Sequence, residues 1–232
     1  MNWPNLCVLL LTYKRTEYAI LTLQSLIKNF NYSGFWGIHI ADDGSDVGHI
    51  NQLMEIVNEH EKFSGFTNAQ RGGYGKSYNL ALQNVHTWAD IILPLEDDWE
   101  LARPLSSDPL VTALQEDQFG CIRMGYLGWT QELRGKIIRA AGQQFLLLDP
   151  DSPEPHVWAG HPRLETKEWQ RSVGPWPEGD YDPGTTEFMV AHRQEARQGV
   201  VWPLDLQRAC GDLWAHVGAE QARTDQRQAV EV

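Results

Sequence analysis

Three consecutive acids close an apolar run in "ILPLEDDWEL", where Ile91, Ile92, Leu93 and Leu95 lead directly into Glu96, Asp97 and Asp98, followed by Trp99. Carboxylates crowded at the end of a buried strand repel one another and are costly to desolvate. They need a cation, a basic neighbour or open solvent. Three further polar segments follow apolar runs: "TYKR" at Thr12–Arg15, "DDGS" at Asp42–Ser45, and "NAQRGGYGKS" at Asn68–Ser77. The last supplies two cationic donors, Arg71 and Lys76, beside Gly72 and Gly73, which permit close backbone approach to a ligand.

The elements that must position these groups are legible in the pattern. Leu6–Thr12 is a continuous apolar run of the kind that is covered on both faces, and Ile20, Leu23, Ile27 and Phe30 then recur at helical spacing. Strands are expected at Trp36–Ala41, Phe63–Asn68 and Ile91–Leu95, with helices at Ile50–His60 and Gly75–Val85. Strands separated by such helices predict right-handed crossovers and an α/β fold, a mostly parallel sheet with helices on both faces. Ligands of such sheets bind beyond the strand carboxyl ends, where all four polar segments fall. Taken singly, each segment is explained by helix capping or turn chemistry.

The "GGYGKS" stretch is not a nucleotide-hydrolase phosphate loop. That motif needs glycine five places before Gly75, where this chain has Gln70.

"VLLLTYKR", "ADDGS", "NAQRGGYGKSYNLAL" and "LPLEDDWEL", in this order and at these intervals, resemble the nucleotide-binding half of family 2 glycosyltransferases with the Rossmann-like GT-A fold. The resemblance covers roughly the first half of the chain and implies transfer of a sugar from a nucleotide donor. It puts Thr12 and Tyr13 at the base, Asp42 or Asp43 at base or ribose, and Arg71 at base or diphosphate. Asn79 would buttress the loop, and Arg15, Gly72 and Lys76 belong to the same nucleotide-sugar site. "EDD" resembles the family's Asp-x-Asp element, with Asp97 facing the ribose and Asp98 binding Mn2+ or Mg2+. Glu96, at the motif's first position, departs from the pattern. Carboxylates are hard oxygen ligands for such cations, which would neutralise a departing diphosphate.

The second half is less regular. Gly120–Gly125 and Gln143–Leu148 read as strands, and between Asp149 and Gly184 lies a long proline-rich loop carrying Trp158, Trp169 and Trp176. Such a loop suits a lid or binding segment, and its tryptophans either face sugar rings or bury the loop against the sheet. A helix is expected from Glu187 to Gln198, followed by a short strand. By the resemblance, Glu187 is the candidate general base, with Asp180 and Asp182 in reserve; an acid in a first helical turn is also favoured by the helix dipole alone. "WAHVG" resembles a late histidine segment that completes the metal shell in some members, which points to His216.

Size and charge bound the rest. At 232 residues and 42% hydrophobic, the chain is expected to form one domain over residues 1–218, a nucleotide-binding half at 1–101 and an acceptor half at 102–218, with a frayed tail at 219–232. A formal charge of −12 without a Lys/Arg run disfavours nucleic acid. Cys7, Cys121 and Cys210 lack metal-ligand spacing, and neither a membrane span nor a secretory signal is read, so a cytoplasmic protein is expected. The expected activity is metal-dependent, inverting transfer from a nucleotide-sugar donor, UDP-linked because the family uses UDP most, to an acceptor hydroxyl on a protein, glycan, lipid carrier or small molecule. The rival reading is a non-catalytic nucleotide-sugar or glycan-binding module on the same fold.

Overall fold

All seven residues of the first strand, β1 (Leu6–Thr12), are buried, because the strand is covered on both faces. The computed structural model describes residues 2–116, 119–125, 132–179, 181, 184–204 and 213–218. Strand and helix alternate as the sequence predicts, except that Phe30, expected to continue the first helix, opens a short strand: α1 (Thr16–Asn29), β2 (Phe30–Asn31), β3 (Trp36–Asp42), α2 (Val47–Glu59), β4 (Phe63–Asn68), α3 (Tyr74–Val85) and β5 (Ile91–Glu96). Then come β6 (Trp99–Leu101), β7 (Leu105–Ser106), α4 (Asp108–Glu116), β8 (Cys121–Arg123) and a hairpin of β9 (Gly135–Ala140) with β10 (Gln143–Leu148). The described remainder holds β11 (Arg163–Thr166), α5 (Lys167–Val173), α6 (Thr185–Ala191), a 3-10 turn at Glu195–Arg197, β12 (Val200–Pro203) and β13 (Trp214–His216).

Nine strands form the central sheet in the order β4-β3-β1-β5-β11-β8-β12-β10-β9, and β6 pairs with β13 at its side. The pairings of β4, β3, β1 and β5 are parallel, and only β11 and β10 run against the other seven strands. The sheet is therefore mostly parallel. Alternation along β1 sends Leu6, Val8 and Leu10 to one face and Cys7, Leu9 and Leu11 to the other. The first face packs on α1, α2 and α4 through residues such as Leu23, Leu53 and Leu110; the second packs on α3, α5 and α6 through Tyr78, Trp169 and Val190. Each fully buried leucine contributes about 1.5–3 kcal/mol.

The structure departs from expectation in the second half. The stretch from 149 to 184 is no continuous loop, for it contains α5 and also β11, an interior strand between β5 and β8. Trp158, Trp169 and Trp176 are all buried in the second apolar layer, so they anchor this segment instead of presenting ring faces to a sugar. The helix expected at Glu187–Gln198 ends at Ala191, where the chain turns at His192 before the short 3-10 segment. Cys7 and Cys121 are free, buried thiols, pushed up by burial. Cys210, Asp180, Asp182 and the 219–232 tail lie outside the described residues. Among the described residues no helix is long and apolar enough to cross a membrane.

Candidate functional site

The parallel register brings the polar segments together. Thr12 pairs with Asp42, Asp42 with Asn68, and Leu11 with Glu96, so the carboxyl ends of β1, β3, β4 and β5 finish along one line. A cavity of about 520 Å³ lies at the opposite end of the sheet, against Asn5, Asp90, Ile91 and Thr166. The converging tips, which carry the ionisable groups, define the site better than that groove does.

Asp97 is fully buried and held from several sides. Thr12 Oγ1 and the Tyr13 N–H donate to its Oδ2 at 2.9 and 3.3 Å, Thr22 donates to its carbonyl, and Arg15 Nη2 pairs with its Oδ1. Because the Thr12 hydroxyl spends its proton on Asp97, the 3.0 Å contact with His49 Nε2 requires that nitrogen to be the donor; His49 Nδ1 then accepts from Thr16 Oγ1 at 2.8 Å. Burial lowers the His49 pKa, with Asp42 and Asp46 opposing, which suits the neutral tautomer this chain of bonds needs. Asp98 receives Arg15 Nη1 at 2.7 Å and His216 Nε2 at 3.2 Å, both on Oδ2, while its buried Oδ1 has no hydrogen-bond partner among the described residues. Pairing of β13 with β6 sets His216 opposite Trp99, whose ring lies tilted by 33° against it at 4.8 Å.

The charges at this tip respond to depth. Burial pushes Asp97 up to about 6 against the pull of Arg15, and pushes Glu96 up to about 8 with Asp98 and Glu187 adding repulsion. For Asp98, burial is outweighed by the His216 hydrogen bond and by Arg15, leaving it below the usual carboxylate value. Two acids that share one guanidinium thus shift in opposite directions: burial prevails over Arg15, Thr12 and Tyr13 at Asp97, whereas His216 and Arg15 together outweigh it at Asp98.

The neighbouring loop is braced by the "DDGS" acids. Asp42 Oδ2 accepts the N–H groups of Gly44 and Ser45 at 2.9 and 2.8 Å, and its buried Oδ1 lies 3.8 Å from His49 Nε2. Asp43 accepts the N–H of Gly72 on one oxygen and of Gly73 on the other, both at 3.0 Å. Gly44 has φ +92° and a Cβ there would stand 3.0 Å from the Arg71 nitrogen, so only glycine suits this turn. Arg71 donates to the Tyr13 hydroxyl at 2.8 Å and lies over its ring, closing the two loops against each other. Lys76, in the first turn of α3, folds back over Gly72, where an added Cβ would meet its Cδ at 2.3 Å. Asn79 buttresses a different loop from the one expected: it holds the Trp176 N–H and carbonyl and the Glu178 carboxylate, each at 2.9 Å.

Glu187 opens α6 on the second-half side of the tip. Its Oε1 accepts the Gly160 N–H at 2.6 Å, and its charge reaches Glu96 and Arg123. Gly160 is itself fixed by Arg163, which donates to its carbonyl at 2.8 Å and pairs with Glu165 at 2.5 Å; Tyr78 completes this buried group on Glu165. Gly160, Arg163, Glu165 and His49 were not singled out from sequence. His49 had a signal in the Asp46 cap that places it in the first turn of α2, whereas Arg163 and Glu165 had none.

The donor set suits a divalent cation. Asp98 supplies a hard oxygen with an unsatisfied buried partner and His216 an imidazole beside it, and among the described residues no group of three or more His, Cys, Asp or Glu surrounds them. A cation held by so few protein donors takes its other ligands from phosphate and water, as Mg2+ typically does.

No family model matches the chain, and no curated protein sequence does. Solved structures do match. The fold resembles that of TarS from S. aureus, residues 1–349 in complex with UDP, at a TM-score of 0.63 and 14% identity, covering 87% of this chain and 58% of that one. It also resembles the mannosyltransferase PcManGT from Pyrobaculum calidifontis in complex with GDP-Man and Mn2+ (TM-score 0.54, 14% identity, 86% and 56% covered) and GalNAc-T7 with UDP, GalNAc and Mn2+ (0.60, 16%, 87% and 43%). The chain thus has the GT-A fold of nucleotide-sugar glycosyltransferases. It spans roughly half the length of these solved chains.

Proposed function

We propose that this chain is an inverting, metal-dependent glycosyltransferase that moves a sugar from a nucleotide donor, UDP-linked by preference, to an acceptor hydroxyl. The observation that carries the reading is the placement of Asp98, with its unpartnered buried oxygen and its His216 neighbour, across the tip from Glu187 on a GT-A sheet. Neighbours of the same fold bound to UDP, GDP-Man and Mn2+ support it. Asp98 and His216 would hold Mn2+ or Mg2+, which supplies positive charge to the diphosphate leaving group. Thr12, the Tyr13 backbone and His49 keep Asp97 in place for the ribose, and Asp43 holds the Gly72 and Gly73 backbone at the donor side. Arg71 and Tyr13 form the wall against the base. Glu187, pinned through Oε1, takes the proton of the acceptor hydroxyl; that oxygen bonds to the anomeric carbon as the bond to the diphosphate breaks on the opposite face.

Glu187→Gln tests the base. The variant is expected to keep donor affinity while nucleotide-sugar turnover falls ~10²–10⁴-fold, the usual contribution of positioned proton transfer. If Glu187 served only the helix terminus, melting would shift by the equivalent of ~0.3–1 kcal/mol and turnover would stay near wild type. That second result would remove Glu187 from the mechanism.

A further inference from the structure

The outermost member of the acidic tip is its own cation. Arg15 keeps 33% of its side-chain accessibility, whereas Asp97 and Asp98 beneath it keep 1% and 4%. The guanidinium thus stands between the two buried carboxylates and solvent, with the part-exposed His216 beside it at Asp98. Nη1 and Nη2 each take one of the two acids, a forked arrangement that a planar guanidinium makes well and that neutralises one of the two charges. Among the described residues, Asp98 is then left with both of its donors on Oδ2 and none on Oδ1. The arrangement is complete for holding the acids together and incomplete for Asp98.

The loop that carries Arg15 is a tight turn, with the Arg15 N–H on the Tyr13 carbonyl at 2.8 Å and the Thr16 N–H on the Lys14 carbonyl at 2.9 Å. Lys14 sits at φ +61°, a region that side chains with a Cβ rarely adopt, and its N–H is tied to Ser45 Oγ at 2.8 Å. Arg15 occupies the N-cap of α1, with no side-chain cap bond. Its side chain is thus held by Asp97 and Asp98 and by no capping duty of its own helix.

We propose that Arg15 is a built-in counter-ion that closes the acidic tip in the absence of a divalent cation, so that the Arg15 ion pairs and cation binding exclude each other. The inference rests on the proposed metal role of Asp98 and His216. Asp98, once released by the guanidinium, would offer its carboxylate to a doubly charged cation. The released guanidinium stays at the crevice mouth, where it pairs with the diphosphate that enters with the cation. Arg15 therefore opposes the bare cation and favours the nucleotide, a combination that neither a purely structural arginine nor a simple diphosphate anchor produces.

Linkage makes this measurable. Free Mn2+ is titrated by electron paramagnetic resonance into the wild-type chain, Arg15→Gln, Arg15→Lys and the Arg15→Gln/Asp98→Asn double variant, without nucleotide, and melting temperatures are recorded alongside. Arg15→Gln is expected to bind Mn2+ roughly tenfold or more tightly than wild type, a change that corresponds to ~1.4 kcal/mol. It should melt lower without Mn2+ and regain the difference at saturation, and the double variant should lose the gain. Arg15→Lys, which keeps a charge but cannot fork across both acids, falls between and serves if Arg15→Gln does not fold. UDP affinity moves the other way, weakening in Arg15→Gln. Equal or weaker Mn2+ binding by Arg15→Gln, with wild type binding normally, overturns the counter-ion role and leaves the metal site standing. If no form of the chain binds Mn2+, with or without UDP, the metal role in the proposed function falls and this inference with it.

Discussion

Asp43 shows how much of the site is spent on holding backbone. Both of its oxygens accept glycine N–H groups across the sheet tips, so Asp43→Ala leaves two donors without their acceptor, a cost of about 1–3 kcal/mol each when such groups are shielded from water. Urea denaturation should show a lower midpoint for Asp43→Ala, with Asp43→Asn losing less because one carbonyl remains. Calorimetry with UDP should show weaker binding for both. Unchanged stability and affinity would mean that the glycine loop holds its shape without Asp43. At this scale the sequence was informative about residue type and silent about partners. Asp97 and Asp98 of "EDDW" lie 82 and 83 residues from Arg15 of "TYKR" in the chain, and only the Leu11–Glu96 register reveals that Arg15 answers the charge. His216 is a candidate by resemblance alone, and its contact with Asp98 depends on the β6–β13 pairing, which "WAHVG" does not signal by itself.

At the scale of elements, β1, β3, β4 and β5 were legible, since a parallel strand buried on both faces is an unbroken apolar run, as in "LCVLLLT"; the two-residue β2 was not, for Phe30 continues the helical spacing of α1. Strand β11, "RLET", was not, although it lies in the middle of the same sheet. Its two charges are both fully buried and satisfy each other at 2.5 Å, so a central strand here carries the composition of a surface loop. Strand β3 hides a similar exception in His39, which is buried against Thr67 Oγ1 at 2.6 Å beside Gly65, whose missing Cβ leaves room for the ring. Burial lowers its pKa from 6.5 to about 4. Above 6.5 both folded and unfolded chains hold this histidine neutral; below it only the unfolded chain gains the proton, so stability drops as pH falls toward 4. Between pH 7 and pH 5 that single group contributes a loss of about 2 kcal/mol. His39→Gln should flatten the decline by this amount in denaturant titrations at the two pH values, whereas a parallel decline in wild type and variant would contradict the assignment.

For the molecule as a whole, two apolar layers on either side of one sheet hold a first half that carries the donor-side acids and a second half that brings Glu187 and His216 to the same edge. The first half could be read in order from its four loops. The second could not, because its strands run in both directions and its proline-rich segment conceals both β11 and three buried tryptophans. The central claim is that the acidic tip supports turnover of a nucleotide sugar and does more than bind one. Release of nucleoside diphosphate, measured across a panel of UDP- and GDP-sugars with Mn2+ and with excess chelator, tests it most directly. Release from at least one donor in Mn2+ is expected, with loss of that release in chelator and again in Asp98→Asn. A chain that binds a nucleotide sugar without ever releasing the diphosphate, or that releases it equally well with Asp98→Asn, would contradict it.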